Sequence, residues 1–390
     1  MPSSIARYAR HVPGSFRIAR VLGIDVRVHI SWVFIFALIT FQQSQVFYSS
    51  YPSWSGAKSV VIATITALLF FTSVVVHELA HSVVARAFHM PVSSITLFLL
   101  GGVASLTKEP SSAKAEFLMA AAGPLTSLVI GGGAIGISEL TAGAQRDTPQ
   151  QVVRAVAQTL GWINVAVAVF NLIPGFPLDG GRVLRSSIWA IRGDRAAATR
   201  IAARGGQAVA ALLVAWAAYE FFNGEPSGLW LGLIAYFLYG AASQTLQQER
   251  LTSAVGGVRV GQLMTTDFRS AQAGTSIASL VRDLLLPHNL RAVPVTSGER
   301  VVGLVTISDL RKVEQDQWPM TPIDSVMTKA AELQTVSPDD ALTTALERFG
   351  NGELPLLPVI DHGSLAGVLY REAVLGYVRM REMLGLDPRR

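Results

Sequence analysis

The sequence predicts a polytopic α-helical membrane protein of six spans with a short membrane-associated β-hairpin, followed by a cytosolic α/β domain of two similar halves. Three observations carry that prediction. Over 390 residues the composition is 50% hydrophobic and only 15% charged, where soluble domains are about 25% charged. The apolar residues fall in long runs before Gln248, and the charge balance changes there: 17 Lys+Arg against 10 Asp+Glu up to that residue, 15 against 17 beyond it. Beyond it, a repeat of about 60 residues is visible. The basic excess therefore belongs to the membrane part, where it reads as topology and not as nucleic-acid binding. There is no cysteine, so there are no disulfides, and metal ligands are confined to His and carboxylate.

Residues 1–27 are a basic cytosolic segment, with Arg7, Arg10, Arg17, Arg20 and Arg27 opposed only by Asp25. They mark a cytoplasmic end and lack the apolar core and small residues of a cleavable signal peptide. The membrane domain covers 28–246, with spans at 28–48, 59–88, 115–137, 152–173, 196–222 and 228–246. Residues 91–107 are β-branched and contain Gly101-Gly102, which predicts a hairpin turning at those glycines. Pro124 and Gly131-Gly132-Gly133 loosen the third span. After the fourth, Asn171-Leu172-Ile173-Pro174-Gly175-Phe176-Pro177-Leu178-Asp179-Gly180-Gly181-Arg182 breaks the helix at membrane depth. Such a break is tolerated where backbone lines a protein-enclosed cavity. Arg182, Arg185, Arg192, Arg195, Arg200 and Arg204 then mark a cytoplasmic face. Both termini are thus expected on the cytoplasmic side of an inner or plasma membrane.

Residues 247–259 read as a linker, and the two halves of the repeat as 260–312 and 323–380. Val260-Gly261-Gln262-Leu263-Met264-Thr265 is echoed by Ile323-Asp324-Ser325-Val326-Met327-Thr328, Ala292-Val293-Pro294-Val295 by Leu356-Leu357-Pro358-Val359, and Gly303-Leu304-Val305 by Gly367-Val368-Leu369. Each half reads strand, helix, strand, strand, helix.

The chemistry centres on His77-Glu78-Leu79-Ala80-His81 in the second span. Residues four apart share a helix face, so His77 and His81 can turn ring nitrogens toward one metal ion. Glu78 follows directly and can reach a metal-bound water as general base. Each ionisable group at the centre of a lipid-facing helix costs about 2.5–3.5 kcal/mol. Three within five residues demand burial among other helices and a partner, and a metal supplies one.

The His-Glu motif, together with the broken segment from Asn171 through Asp179-Gly180-Gly181, resembles the site-2 protease family of intramembrane zinc metalloproteases, over roughly residues 17–246. The resemblance implies one Zn2+ per chain held by His77, His81 and Asp179, with Glu78 activating water. It implies a single-span transmembrane substrate, such as an anti-sigma factor, cleaved within or near its helix in the lipid bilayer. Gly101 and Gly102 look like the family's membrane-associated β element, able to pair with unwound substrate. Asn171, Pro174 and Pro177 are expected to hold the chain open beside the metal. The alternative role for Asn171, of equal weight, is to cap the end of the fourth span.

Residues 260–377 resemble a pair of CBS (cystathionine-β-synthase) motifs, a regulatory module that commonly binds adenine nucleotides and associates between chains. That implies ATP or AMP as regulator and a homodimer through the pair. In the first half, Thr306-Ile307-Ser308-Asp309 offers a hydroxyl and N–H groups to phosphate and a carboxylate to ribose. The second half has Tyr370-Arg371-Glu372-Ala373 instead, so a single site at Thr306, Ser308 and Asp309 is expected. The alternative is a CBS-regulated transporter or channel. It accounts for the broken helix and an intramembrane Asp179 but not for His77-Glu78-x-x-His81.

Overall fold

The computed structural model describes residues 14–98, 101–106, 110–298, 300–350 and 354–384. The chain divides into two compact units, Met1–Gln247 and Gln248–Arg390.

Unit 1 opens on strands β1 (Ser15–Val21) and β2 (Ile24–His29), paired antiparallel. The described end of the basic N-terminal segment is therefore a β-hairpin that reaches into the expected first span. The cause is a period of two: Ile24, Val26 and Val28 are buried, while Asp25, Arg27 and His29 between them are half-buried. Two helices follow, α1 (Ser31–Ser50) and α2 (Gly56–Ala87). Their crossover brings β3 (Val92–Phe98) parallel to β2, and β3 pairs antiparallel with β4 (Gly101–Leu106). The sheet order is β1-β2-β3-β4, with β4 at an edge. Gly101 and Gly102 are not the turn. They pair with Phe98 and Leu97 as the first residues of β4, and the connection at 99–100 lies outside the described residues.

Ile24, Val92 and Ile95 of the sheet pack with Ala85 of α2 and with Ala115 and Met119 of α3 (Ala113–Leu140). The sheet thus seats on the end of α2, one turn beyond His81. Ser55 caps α2 by accepting the Lys58 N–H, and Ser112 caps α3 by accepting the Ala115 N–H. Helix α4 (Pro149–Asn171) follows, with proline in its first turn. The triple glycine does not loosen α3, which is continuous. A Cβ at Gly131 would lie 2.9 Å from Val165 Cγ2 and 3.0 Å from the Gly161 carbonyl of α4, so Gly131 and Gly161 let the two helices touch.

After the break comes α5 (Asp179–Arg192), ended by Gly193 in the left-handed region at φ 69°. It is a helix of its own, in the stretch whose arginines mark a cytoplasmic face. Then come α6 (Arg195–Phe222) and α7 (Ser227–Ala254). Among the described residues five helices are long and apolar enough to cross a membrane: α2, α3, α4, α6 and α7. Helix α1 is not among them, because Gln42, Gln43 and Gln45 dilute its apolar run.

In unit 2, the last turns of α7 and Val255 and Val258 join the hydrophobic core. The residues expected as a linker are helical to Ala254. The first half contains β5 (Ala271–Gln272), α8 (Ile277–Leu280), β6 (Ala292–Ser297), β7 (Arg300–Thr306) and α9 (Ile307–Leu310). The second contains β8 (Thr328–Lys329), α10 (Leu342–Phe349), β9 (Leu356–Asp361), β10 (Ser364–Tyr370) and α11 (Arg371–Met383). The echoed segments take equivalent places: the proline quartets on β6 and β9, the glycine triplets on β7 and β10. The lead-ins are exchanged. Thr265 of the first half pairs with Val368 through hydrogen bonds of 2.8 and 3.0 Å, and Thr328 of the second pairs with Leu304. Neither half completes its sheet alone.

Candidate metal centre

His77 and His81 lie one turn apart on α2, and Asp179 is the first residue of α5. A chain separation of 98 residues closes to 3.2 Å between His81 Nε2 and Asp179 Oδ2. His77 Nε2 lies 3.3 Å from the same oxygen and 3.2 Å from His81 Nε2. The three atoms form a nearly equilateral triangle. All three side chains are largely buried.

The far side of each imidazole is fixed. His81 Nδ1 lies 2.6 Å from the Met119 carbonyl, and a carbonyl only accepts, so Nδ1 carries the proton. His77 Nδ1 lies 2.9 Å from Ser127 Oγ. In neutral His81 this leaves Nε2 as a lone pair aimed at a carboxylate oxygen, two acceptors in contact unless a cation lies between them. Tetrahedral zinc with bonds of about 2.0–2.1 Å separates its ligands by about 3.3 Å, which is the observed triangle. Two nitrogens and one oxygen suit zinc and not the all-oxygen shells of calcium or magnesium. The residues present fit the ion.

Room for it comes from α3. A Cβ at Gly123 would lie 2.5 Å from His77 Nε2 and closer still to His81 Nε2. No local sequence pattern singles out Gly123, Met119 or Ser127, which all belong to one face of that helix.

Glu78, half-buried, neighbours His77 on α2. Strand β4 passes over it: a Cβ at Gly102 would lie 2.6 Å from Glu78 Cγ and 3.0 Å from its Oε1. Gly102 thus lies against Glu78, and Gly101 precedes it on the same strand. Asn171 is the last residue of α4, and Pro174 and Pro177 lie in the break before α5. The break is folded tightly back: a Cβ at Gly180 would run into the carbonyls of Leu172 and Ile173. Asn171, Pro174 and Pro177 are not part of the His–Asp triangle.

In unit 2, Thr306 and Ser308 line a cavity of about 420 Å³ with Arg291, Leu354, Arg371 and Glu372. Asp309 is not on its wall. Its Oδ2 accepts the Thr306 N–H at 3.1 Å and the Thr306 hydroxyl at 2.7 Å, and its Oδ1 accepts Lys312 Nζ at 2.8 Å. Thr306 and Asp309 thus form a helix cap for α9.

The model of peptidase family M50 matches residues 65–143 and 131–215, and the CBS domain model matches 260–316 and 323–379. The chain is 32% identical over 376 residues, 95% of its length and 97% of the other's, to a Synechocystis protein named "Putative zinc metalloprotease sll0528". It is 33% identical over 363 residues, 93% and 90% of the two lengths, to "Putative zinc metalloprotease Rip3" of Mycobacterium tuberculosis. Among solved structures it is similar to the site-2 protease from Methanocaldococcus jannaschii, at 29% identity and TM-score 0.42, over 60% of this chain and 95% of that one.

Proposed function

The chain belongs to peptidase family M50, as a multi-pass membrane zinc metalloendopeptidase of the site-2 protease type with tandem CBS domains, and from that premise we propose that His77, His81 and Asp179 hold its zinc and Glu78 is its base. The observation that carries this is the triangle of two Nε2 atoms and one Oδ2 with sides of 3.2–3.3 Å. Bound there, zinc supplies Lewis acidity toward water and the scissile carbonyl. The chain supplies the rest. The Met119 carbonyl holds the His81 proton at Nδ1, and the Ser127 hydroxyl can accept the His77 Nδ1 proton when Nε2 faces the metal. Glu78 takes a proton from the attacking water at its carboxylate and passes it to the leaving amide nitrogen.

The substrate is a single-span membrane-bound regulator, of which an anti-sigma factor is one kind. An intact helix keeps its carbonyls hydrogen-bonded, so it must unwind to be cut. Strand β4 is an edge of its sheet and passes Glu78 at Gly102. Its free edge can pair an extended substrate segment beside the base. Helix α1 serves as a sixth, more polar span, and both termini face the cytoplasm, in keeping with the arginines of β1, β2 and α5. Asn171, Pro174 and Pro177 keep the chain between α4 and α5 out of the helix beside the metal.

The CBS pair takes one adenine nucleotide per chain in the cavity at Thr306 and Ser308 and modulates cleavage. Asp309, off the wall of that cavity, serves the site through Thr306, whose N–H and hydroxyl it accepts. ATP and AMP titrated into the full-length protein check this: binding of neither removes the regulatory reading. For the protease, membrane proteomes of cells carrying wild type and Glu78→Gln are compared. A single-span protein accumulating in the variant identifies the substrate. Identical membrane proteomes would refute the role in cleavage.

A further inference from the structure

We infer that Glu116, acting through Arg185, is a positioning residue for the metal centre, and that one face of α3 sets all three ligands. The inference rests on the proposal that His77, His81 and Asp179 hold the metal. Glu116, Met119, Gly123 and Ser127 are spaced three, four and four apart, within an arc of about 80° on a 3.6-residue helix. Three of the four act on the histidines directly: Met119 through its carbonyl, Ser127 through its hydroxyl, Gly123 by leaving space.

The fourth reaches Asp179 from both sides. Glu116 is fully buried at the first turn of α3, and its Oε1 accepts Arg185 Nε at 2.8 Å and also Arg185 Nη2. The guanidinium lies over the Phe176 ring at 4.9 Å. Phe176 in turn donates its N–H to the Ala202 carbonyl at 3.1 Å and packs on Ala202 and Ala203 of α6. Asp179 therefore sits between two points, Phe176 and Arg185, that one guanidinium ties to α3.

Stability does not explain a pair this deeply buried. The second carboxylate oxygen of Glu116 is buried with no hydrogen-bond partner among the described residues. Replacing a buried ion pair by apolar residues of similar volume is often neutral or stabilising, whereas two charges fixed to each other set the register and rotation of the helices that bear them. Here the register is that of α5 against α3, and the residue at the head of α5 is Asp179.

The test is the zinc dissociation constant of full-length protein in detergent, measured by chelator competition, beside the unfolding midpoint of the metal-free protein. Glu116→Gln and the double variant Glu116→Leu/Arg185→Met are compared with wild type and His77→Ala. Both Glu116 variants should bind zinc about 10–100-fold more weakly, and the double variant should keep the wild-type metal-free midpoint. Wild-type zinc affinity in the double variant overturns the inference. So does a loss of affinity that comes only with a matching fall in the metal-free midpoint, which assigns the pair to stability alone. His77→Ala separates the two levels. If it binds zinc like wild type, the ligand reading itself fails; if it loses zinc while the double variant does not, only the role of Glu116 falls.

Discussion

Replacing Gly123 by alanine should expel the metal and leave the helix bundle standing. The added Cβ would lie 2.5 Å from His77 Nε2 and nearer still to His81 Nε2, where ordinary contact begins at 3.4 Å. Helix α3 or the imidazoles must give by more than about 0.9 Å, while metal–ligand distances tolerate about 0.2 Å. Retreat of α3 would also draw the Met119 carbonyl and Ser127 hydroxyl away from the two Nδ1 atoms. Zinc affinity should fall by at least about 100-fold, the upper end of what losing one outer contact costs, and cleavage should fall with it. Helix propensity works the other way, since alanine is favoured over glycine by about 0.8–1 kcal/mol, so misfolding is not the expected cause. The assay is zinc content per chain after dialysis against a weak chelator, beside far-ultraviolet circular dichroism. A Gly123→Ala protein that keeps its zinc as tightly as wild type would refute the clearance argument.

Glu78→Gln keeps the three proposed ligands and removes the proposed base, so zinc content should be unchanged while kcat drops by about 10²–10⁴-fold; near-wild-type turnover would remove Glu78 from that role. Gly102→Ala pushes on Glu78 Cγ from 2.6 Å and should lower kcat by up to about 100-fold with zinc retained, as single-turnover cleavage and metal analysis will tell. In unit 2, burial raises the Asp309 carboxyl, but the Lys312 ammonium and the Thr306 hydroxyl and N–H outweigh it and hold its pKa below the ordinary value. The cap of α9 is therefore fully present above the unfolded value of about 3.9 and is lost as pH falls through the lowered one. Amide exchange over residues 306–312 should accelerate there in wild type and already be fast at neutral pH in Asp309→Ala; equal protection of the two proteins at neutral pH would contradict the cap.

The sequence speaks most clearly where a period maps directly onto chemistry. His77 and His81 four apart on an apolar run announce one helix face, and the prolines and glycines before Asp179 announce a broken helix. The repeat in the last third is legible because equivalent strands carry equivalent quartets. The period of two in Ile24, Val26 and Val28 was also visible, but the arginines around it read as topology and hid the strands. Gly101 and Gly102 look like a turn to any local rule. Their use is long-range, since Gly102 lets β4 approach Glu78. The working face of α3 is harder still. Glu116, Met119, Gly123 and Ser127 share a face but no chemistry, one acting by charge, one by a backbone carbonyl, one by an absent side chain and one by a hydroxyl. The partner of Glu116 lies 69 residues away on a helix that reads locally as a cluster of basic residues.

The most direct test of the zinc centre is X-ray absorption at the zinc edge on full-length protein, wild type beside Asp179→Ala. Two imidazoles and one carboxylate predict a four-coordinate shell of nitrogen and oxygen at about 2.0–2.2 Å with two histidine scattering patterns, and no sulfur, since the chain has no cysteine. In Asp179→Ala the zinc should be bound more weakly, and what remains should show the two imidazoles with solvent in place of the carboxylate. A zinc shell with one imidazole or none, or a shell and affinity unchanged by Asp179→Ala, would contradict the assignment of His77, His81 and Asp179 as the ligands.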